Sequence, residues 1–392
     1  MKKIVVLLLI FVMIMSNSII GIASDESYEP ILSVNKTMQL SVDAKACILM
    51  DANTGTVLMA YNENEKLFPA SVTKIMTLLL VVEAIEAGKL TLDMEITCSS
   101  SAAAKGGSQI WLEPGEVMTI NDLLKATVVY SANDACCLLG ECVAGDETAF
   151  VSLMNKKAKE LGMNNTNFMN CTGLDDDVSD HKTTAYDIAL MSRELLRYDL
   201  IKRYTGIWMD TLRNGETQIV NTNKIMRSYS GATGLKTGTT SKAGCCVSAT
   251  AKRDNLELIA VVLGSPNSKE RFSAATKLLD WGFSNYEIYS PDAKGKYPSV
   301  IKVKHGVKQE LKLDNKGLSE ILINKGKATE IMTEINIPQE IEAPVNKGDT
   351  IGKLMFKTEG DVIGVCDIIA AETINKMNFI NAVSALYLSL KK

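Results

Sequence analysis

The sequence predicts an α+β fold: one sheet built from strands near both ends of a large domain, helices between them, then a small all-β domain and a terminal amphipathic helix. Three observations carry this. Apolar strands flank turn signals early, in "ACILMDANTGTVLMAYN", and again late, in "CCVSATAK" and "LELIAVVLG", while the segments between them repeat at helical spacing. After about residue 290 the helical period gives way to short alternating strands punctuated by Gly, Pro, Asn and Asp. At the end, "ETINKMNFINAVSALYLSLKK" gathers Ile374, Met377, Ile380, Val383, Leu386 and Leu390 on one helical stripe.

Taken in order, "MKKIVVLLLIFVMIMSNSIIGIASDE" sets Lys2 and Lys3 before an apolar run from Ile4 to Met15 and small residues at Gly21 and Ala23. This is the pattern of a secretory signal peptide over residues 1–23, followed by a linker over 24–39; an uncleaved anchor is the competing reading of the same run. A hairpin then turns at Asn53-Thr54-Gly55. Helices are expected over 72–87, stopped by Gly88, over 121–143 from a cap at Asn121-Asp122, over 147–161, closed by Gly162, and over 184–197. A second hairpin turns at Arg253-Asp254-Asn255 and a helix over 269–284 follows it. Strands at both ends of a helical middle close one layered unit over 40–288. The small all-β domain occupies 289–370 and the amphipathic helix 371–392. That helix is too polar to span a bilayer; it lies on a membrane surface with Lys391 and Lys392 at the headgroups, or docks on the β domain.

Composition narrows the function classes. A chain of 392 residues that is 46% hydrophobic and 22% charged can bury a large core in two or so domains. Its formal charge of −4 becomes −6 when Lys2 and Lys3 leave with a signal peptide, and no basic cluster with interleaved aromatics exists, so nucleic acid is not an expected partner. The nine cysteines, Cys47, Cys98, Cys136, Cys137, Cys142, Cys171, Cys245, Cys246 and Cys366, are odd in number, mostly sit in apolar runs and form no C-x-x-C. They read as small core residues, not as a disulfide framework. The only histidines, His181 and His305, lie beside no serine or cysteine motif, which argues against Ser-His-Asp, Cys-His and His-rich zinc chemistry. No metal and no cofactor is expected.

The chemistry begins in "FPASVTKIMTLLLVVEAIEAG". Ser71 here is either the N-cap of a buried helix or a nucleophile with Lys74 as its base. Ser-x-x-Lys alone is weak, since it recurs at Ser33, Ser179, Ser299 and Ser389. Two later motifs strengthen it: Ser131-Ala132-Asn133 in "VVYSANDACC", and Lys236-Thr237-Gly238 in "GATGLKTGTTSKAGCC", the chain's only Lys-Thr-Gly. The ordered trio S-x-x-K, S-x-N, K-T-G is far rarer than any member of it, and it is nearly the trio of β-lactamases and penicillin-binding proteins.

With these residues in place, the chain resembles the low-molecular-mass penicillin-binding proteins, specifically the serine-type D-alanyl-D-alanine carboxypeptidases of peptidase family S11. The likeness runs from about Lys45 to Tyr286 and includes "FPASVTKIMT", "YSANDA", "LGMNNTNFMNCTGLD", "GLKTGTTSKAG" and "KLLDWGF". It implies a β-lactamase/transpeptidase-like catalytic domain, an antiparallel sheet with helices on both sides, followed by the small β-rich domain and a C-terminal membrane-association helix. It further implies an exported enzyme, peripherally attached to the outer face of the cytoplasmic membrane, that removes the terminal D-alanine from peptidoglycan stem peptides and is acylated by β-lactam antibiotics.

Each residue type has a reason. An alcohol needs an adjacent base, and residues three apart on a helix share a face, so Lys74 reaches Ser71. Lys74 must lose its proton to act, through burial or a nearby cation, and Lys236 is the candidate cation. Ser131 can relay a proton to the departing amine, and Asn133 can bind the substrate backbone and steady Lys74. The family pattern places the oxyanion donors on the N–H groups of Ser71 and Thr239, lets Gly238 admit the substrate strand, and gives the terminal carboxylate to Thr237, Thr239 and Arg271. Three alternatives stand beside this reading. A class A-like β-lactamase would need a glutamate-activated water, which Glu160 in "ELGMN" superficially offers; a D,D-endopeptidase shares the chemistry; a non-catalytic wall-binding protein would keep only the fold.

Overall fold

The computed structural model describes residues 42–379 apart from 177, 318 and 319. The expected signal peptide, its linker and most of the expected terminal helix lie outside the described residues. The centre of the larger domain is a five-stranded antiparallel sheet of β1 (Ala46–Asp51), β2 (Val57–Tyr61), β3 (Ala232–Thr240), β4 (Gly244–Arg253) and β5 (Leu256–Ser265), in the spatial order β2-β1-β5-β4-β3. Alternate residues of one strand serve opposite cores: Ile259, Val261 and Leu263 join one apolar cluster, while Leu258, Ala260 and Val262 join the other. Burial on both faces is why these strands read as unbroken apolar runs.

The larger cluster is filled by α1 (Lys74–Glu86), α2 (Ile120–Lys125), α3 (Asn133–Ala144), α4 (Glu147–Glu160) and α5 (Ala185–Leu196); the other face is covered by α6 (Ser268–Asn285). Almost all of α1 is buried, as a helix that is apolar all round must be, and it ends where Gly88 takes φ +70°. The two hairpins and the helices near 72–87, 147–161, 184–197 and 269–284 form within a few residues of their expected positions.

The expected helix over 121–143 does not run through. It is capped by Thr119, whose hydroxyl accepts the Asp122 N–H at 3.1 Å, and not by Asn121-Asp122. After α2 the chain widens into a π-turn over Ala126–Tyr130, Ser131 turns left-handed at φ 67°, and α3 restarts at Asn133. Apolar spacing hid the break, because Val128, Val129, Ala132 and Ala135 on both sides of it face one core. Two small hairpins, Glu95–Thr97 with Val117–Thr119 and Met209–Leu212 with Thr217–Val220, carried no clear sequence signal.

The second unit is a six-stranded sheet with its own apolar core, joined to the first by the pairing of Tyr286–Tyr289 with Ile321–Asn324. Here the terminal helix departs from expectation. Residues 371–378 are not helical; Ile374 exchanges backbone hydrogen bonds with Val345 (2.8 and 2.9 Å) and its side chain enters the β-domain core. Ile374 therefore belongs to that core and not to an amphipathic stripe. No helix among the described residues is long and apolar enough to cross a membrane. All nine cysteines are free thiols, and all but Cys142 are buried.

Candidate active site

Ser71 sits in a 3-10 turn, Ala70–Thr73, that leads into α1, and its hydroxyl caps no helix. It accepts instead from Lys74 Nζ at 2.8 Å. Lys74, the first residue of α1, is completely buried and donates also to Asn133 Oδ1 at 2.6 Å and to the Thr172 carbonyl at 2.9 Å. Burial lowers its pKa to about 8, against the opposing pull of Cys136, Cys171 and Asp134.

Lys236 lies mid-strand on β3, equally buried, and donates to Ser131 Oγ at 2.7 Å and to the Thr237 carbonyl at 3.0 Å. Burial, then repulsion from Lys74, holds it well below the ordinary lysine range. Of the two causes expected to lower Lys74, burial leads; at Lys236 the charge of Lys74 adds to burial.

The break between α2 and α3 places the second motif. Left-handed Ser131 turns toward Lys236, and Asn133 opens α3 with its amide on Lys74 and its Nδ2 on the Gly106 carbonyl at 2.6 Å. Asp134 has a different task, accepting the N–H groups of Ile110 and Leu112 at 3.1 and 3.0 Å and so fixing the loop in front of Asn133. The third motif lies against the first. A Cβ on Gly238 would stand 2.7 Å from the Ser71 nitrogen and 2.9 Å from the Pro69 carbonyl, so only glycine lets β3 approach the Ser71 turn this closely.

Thr237 Oγ1 donates to Thr222 Oγ1 at 2.8 Å, and Thr239 Oγ1 to the Gly238 carbonyl at 2.8 Å. Arg271 reaches from α6 to the same strand, where Nη1 donates to the Gly238 and Cys246 carbonyls at 3.0 and 3.1 Å and to Thr239 Oγ1 at 3.1 Å. Its Nε is buried with no partner. The structure therefore gathers Ser71, Lys74, Ser131, Asn133, Lys236, Thr237, Gly238, Thr239 and Arg271 in one connected network.

Several members of that network were not foreseen. Thr172 contributes only a carbonyl, held in place because Asn170 Oδ1 accepts the Thr172 and Gly173 N–H groups at 3.2 and 2.7 Å. Gly173, at φ +88°, packs onto Ala70 so tightly that an added Cβ would lie 1.8 Å from the Ala70 oxygen. The turn signal in "NCTGLD" was visible, but a backbone acceptor has no residue type to announce it. His181 accepts the Met169 N–H on Nδ1 at 3.0 Å, which leaves Nε2–H to donate to Thr73 Oγ1 at 2.8 Å. Burial pushes its pKa down to about 4, so it is a neutral clasp on the Ser71 turn.

Glu160 is half exposed at the end of α4 and pairs with Lys156 and Lys157, a surface role. Among the described residues no carboxylate is hydrogen-bonded to Ser71, Lys74, Ser131 or Lys236. One group could in principle hold a metal: the ligand atoms of Cys137, Glu147 and Cys171 lie within 4.8 Å of one another. Its carboxylate is already committed to Lys105 and to the Cys171 N–H and thiol, and none of the three is a catalytic candidate.

Comparison with known proteins matches most of both units. Residues 33–267 match the family described as D-alanyl-D-alanine carboxypeptidase, and residues 283–376 match the C-terminal domain of penicillin-binding protein 5. The chain is 39% identical over 384 residues to the D-alanyl-D-alanine carboxypeptidase DacF of Bacillus subtilis, covering 97% of this chain and 96% of that protein. It is 34% identical to DacC of Escherichia coli, covering 88% and 87%. Among solved structures it is similar to penicillin-binding protein 5 of Haemophilus influenzae, with a TM-score of 0.75, 31% identity and coverage of 86% and 99%. It is also similar to the ampicillin-bound penicillin-binding protein D2 of Listeria monocytogenes, with a TM-score of 0.58, 30% identity and coverage of 63% and 99%.

Proposed function

Because the chain belongs to the D-alanyl-D-alanine carboxypeptidase family, we propose that it trims peptidoglycan stem peptides by a serine mechanism in which Ser71 is the nucleophile and Lys74 its base. One observation carries the assignment. Lys74 Nζ has three acceptors around it, Ser71 Oγ, Asn133 Oδ1 and the Thr172 carbonyl, and a neutral amine has only two N–H groups. Asn133 and Thr172 take those two. The lone pair is left facing Ser71, so loss of one proton both frees the base and aims it.

Ser71 Oγ then attacks the carbonyl between the last two D-alanines while its proton passes to Lys74. The oxyanion forms against the N–H groups of Ser71 and Thr239, which Gly238 lets approach one another. Ser131, hydrogen-bonded to Lys236, passes its proton to the departing amine and takes back the one Lys74 received, so the terminal D-alanine leaves with its amine protonated and Lys74 is neutral again for deacylation. Thr237 and Thr239 receive its carboxylate, with Arg271 buried behind them as the compensating charge and as the tie that orients the Thr239 hydroxyl. Water completes the cycle by hydrolysing the acyl-enzyme.

Incubation with a D-Ala-D-Ala pentapeptide tests this: mass spectrometry should show loss of one alanine and no further shortening. Cleavage confined to cross-linked dimers would favour an endopeptidase. The rate has a definite pH dependence. Protonated Lys74 cannot accept a proton, so acylation should rise as pH climbs through about 8 and level above it. A rate already flat from pH 6 would assign the base elsewhere.

The same reading extends to location. An apolar run near the N-terminus and the stripe continuing beyond Phe379 fit an exported enzyme held at the membrane surface by its tail. Removing residues 379–392 should leave turnover of soluble peptide intact and abolish flotation with lipid vesicles. Flotation that persists would place the anchor at the other end of the chain.

A further inference from the structure

Trp111 stands in a costly position. Its backbone is left-handed, at φ 59°, a region that L-residues with bulky side chains disfavour, and the residue is 75% exposed. An indole normally gains from burial, so strain that holds one in water points to a contact made with something else.

The turn is fixed from two sides. Its neighbours Ile110 and Leu112 are buried, and their N–H groups are those held by Asp134. From the hairpin side Arg213 donates to the Ile110 carbonyl at 3.0 Å and the Trp111 carbonyl at 3.4 Å while pairing with Glu116 at 2.7 Å. The same loop closes on the catalytic network, since the Ser108 carbonyl accepts the Asn133 N–H at 2.7 Å, three residues before Trp111. On the same hairpin as Arg213, Met209 and Val220 are exposed cross-strand partners, and exposed Tyr130 immediately precedes Ser131.

We propose that Trp111 is a sugar-stacking subsite that receives the glycan to which the stem peptide is attached, an inference resting on the reading that Ser71 acts on such peptides. A pyranose presents a flat face of weakly positive C–H groups to the negative face of an indole while its hydroxyls stay wet at the edge. A rigid, exposed indole on the rim of a peptide-cleaving site suits that ligand. A lipid surface would instead call for free cations, and Arg213, which braces this loop, is spent on Glu116, while Lys105 at its start is spent on Glu147.

The test compares wild type, Trp111→Ala and Trp111→Phe on two substrates: an N-acetylated pentapeptide, and the same pentapeptide on an N-acetylglucosaminyl-N-acetylmuramyl disaccharide. Trp111→Ala should lose about 10-fold in kcat/KM on the glycosylated substrate, through KM, and less than about twofold on the bare peptide, with Trp111→Phe recovering most of the loss. Equal losses on both would mean that the loop acts only by positioning Asn133, and no loss on either would mean that nothing stacks there; each overturns the subsite. Peptide-free disaccharide provides a readout independent of turnover. It should shift the tryptophan emission of wild type and not that of Trp111→Phe, whatever becomes of the carboxypeptidase reading, and an unchanged wild-type spectrum at saturating sugar rejects the proposal.

Discussion

Ser71→Ala should lower turnover of a D-Ala-D-Ala peptide by about 10⁶-fold and eliminate the covalent product formed with penicillin. A β-lactam offers a strained amide beside a carboxylate, so it enters as the acyl-D-Ala-D-Ala group does and is opened by Ser71. The leaving amine remains tethered by the ring. The tethered amine fills the place that water takes in the peptide acyl-enzyme; no carboxylate is hydrogen-bonded to the Ser71 and Lys74 pair among the described residues, and Glu160 is occupied at the surface, so no second base drives water onto this ester. Acylation should therefore outrun deacylation. Intact-protein mass spectrometry should find one penicilloyl group on wild type, formed in a burst, and none on Ser71→Ala. Rapid multiple-turnover hydrolysis without an adduct would revive the β-lactamase reading.

Lys74→Arg should be nearly as damaging, with acylation slower by about 10³- to 10⁴-fold, the range a positioned general base supplies. Arginine keeps the charge but cannot deprotonate in a protein, so it cannot take the Ser71 proton at any accessible pH. Its fork also has to fit a space shaped for one nitrogen among Ser71 Oγ, Asn133 Oδ1 and the Thr172 carbonyl. The useful control is the pH profile: residual activity in the variant should lose the rise through about 8 that burial of Lys74 gives the wild type. Near-native acylation by Lys74→Arg would sink the base assignment.

The chemistry was legible in the sequence because it depends on side-chain identity and order. Serine, lysine, serine, asparagine, lysine, threonine and glycine appear as three short motifs, and the fold brings them together. Hairpins and long helices were equally legible, because their apolar periods persist over many residues. What escaped notice was decided by backbone. Ser131 reaches Lys236 only because a continuous apolar pattern conceals a left-handed break, and Thr172 serves through a carbonyl that any residue possesses. Ile374 fits a helical stripe as well as a strand core; backbone pairing with Val345 decides between them, and no local pattern encodes so distant a partner.

The sheet order also bears on when this enzyme becomes an enzyme. β1 finds one neighbour at once, in β2, but its other neighbour is β5, with Ala46 opposite Leu263. Every helix of the larger core is made in the interval, and so is each catalytic motif. The seam that closes the domain therefore joins its first strand to its last, and such distant pairing is slow because a long loop must be closed before any contact repays it. Until β5 arrives, one edge of β1 is unpaired and β3 has no β4–β5 layer to brace it against Ser71. A chain that cannot finish its sheet early stays open for longer, and the Ser71 and Lys74 pair is fully braced only after the domain's final strand has been delivered.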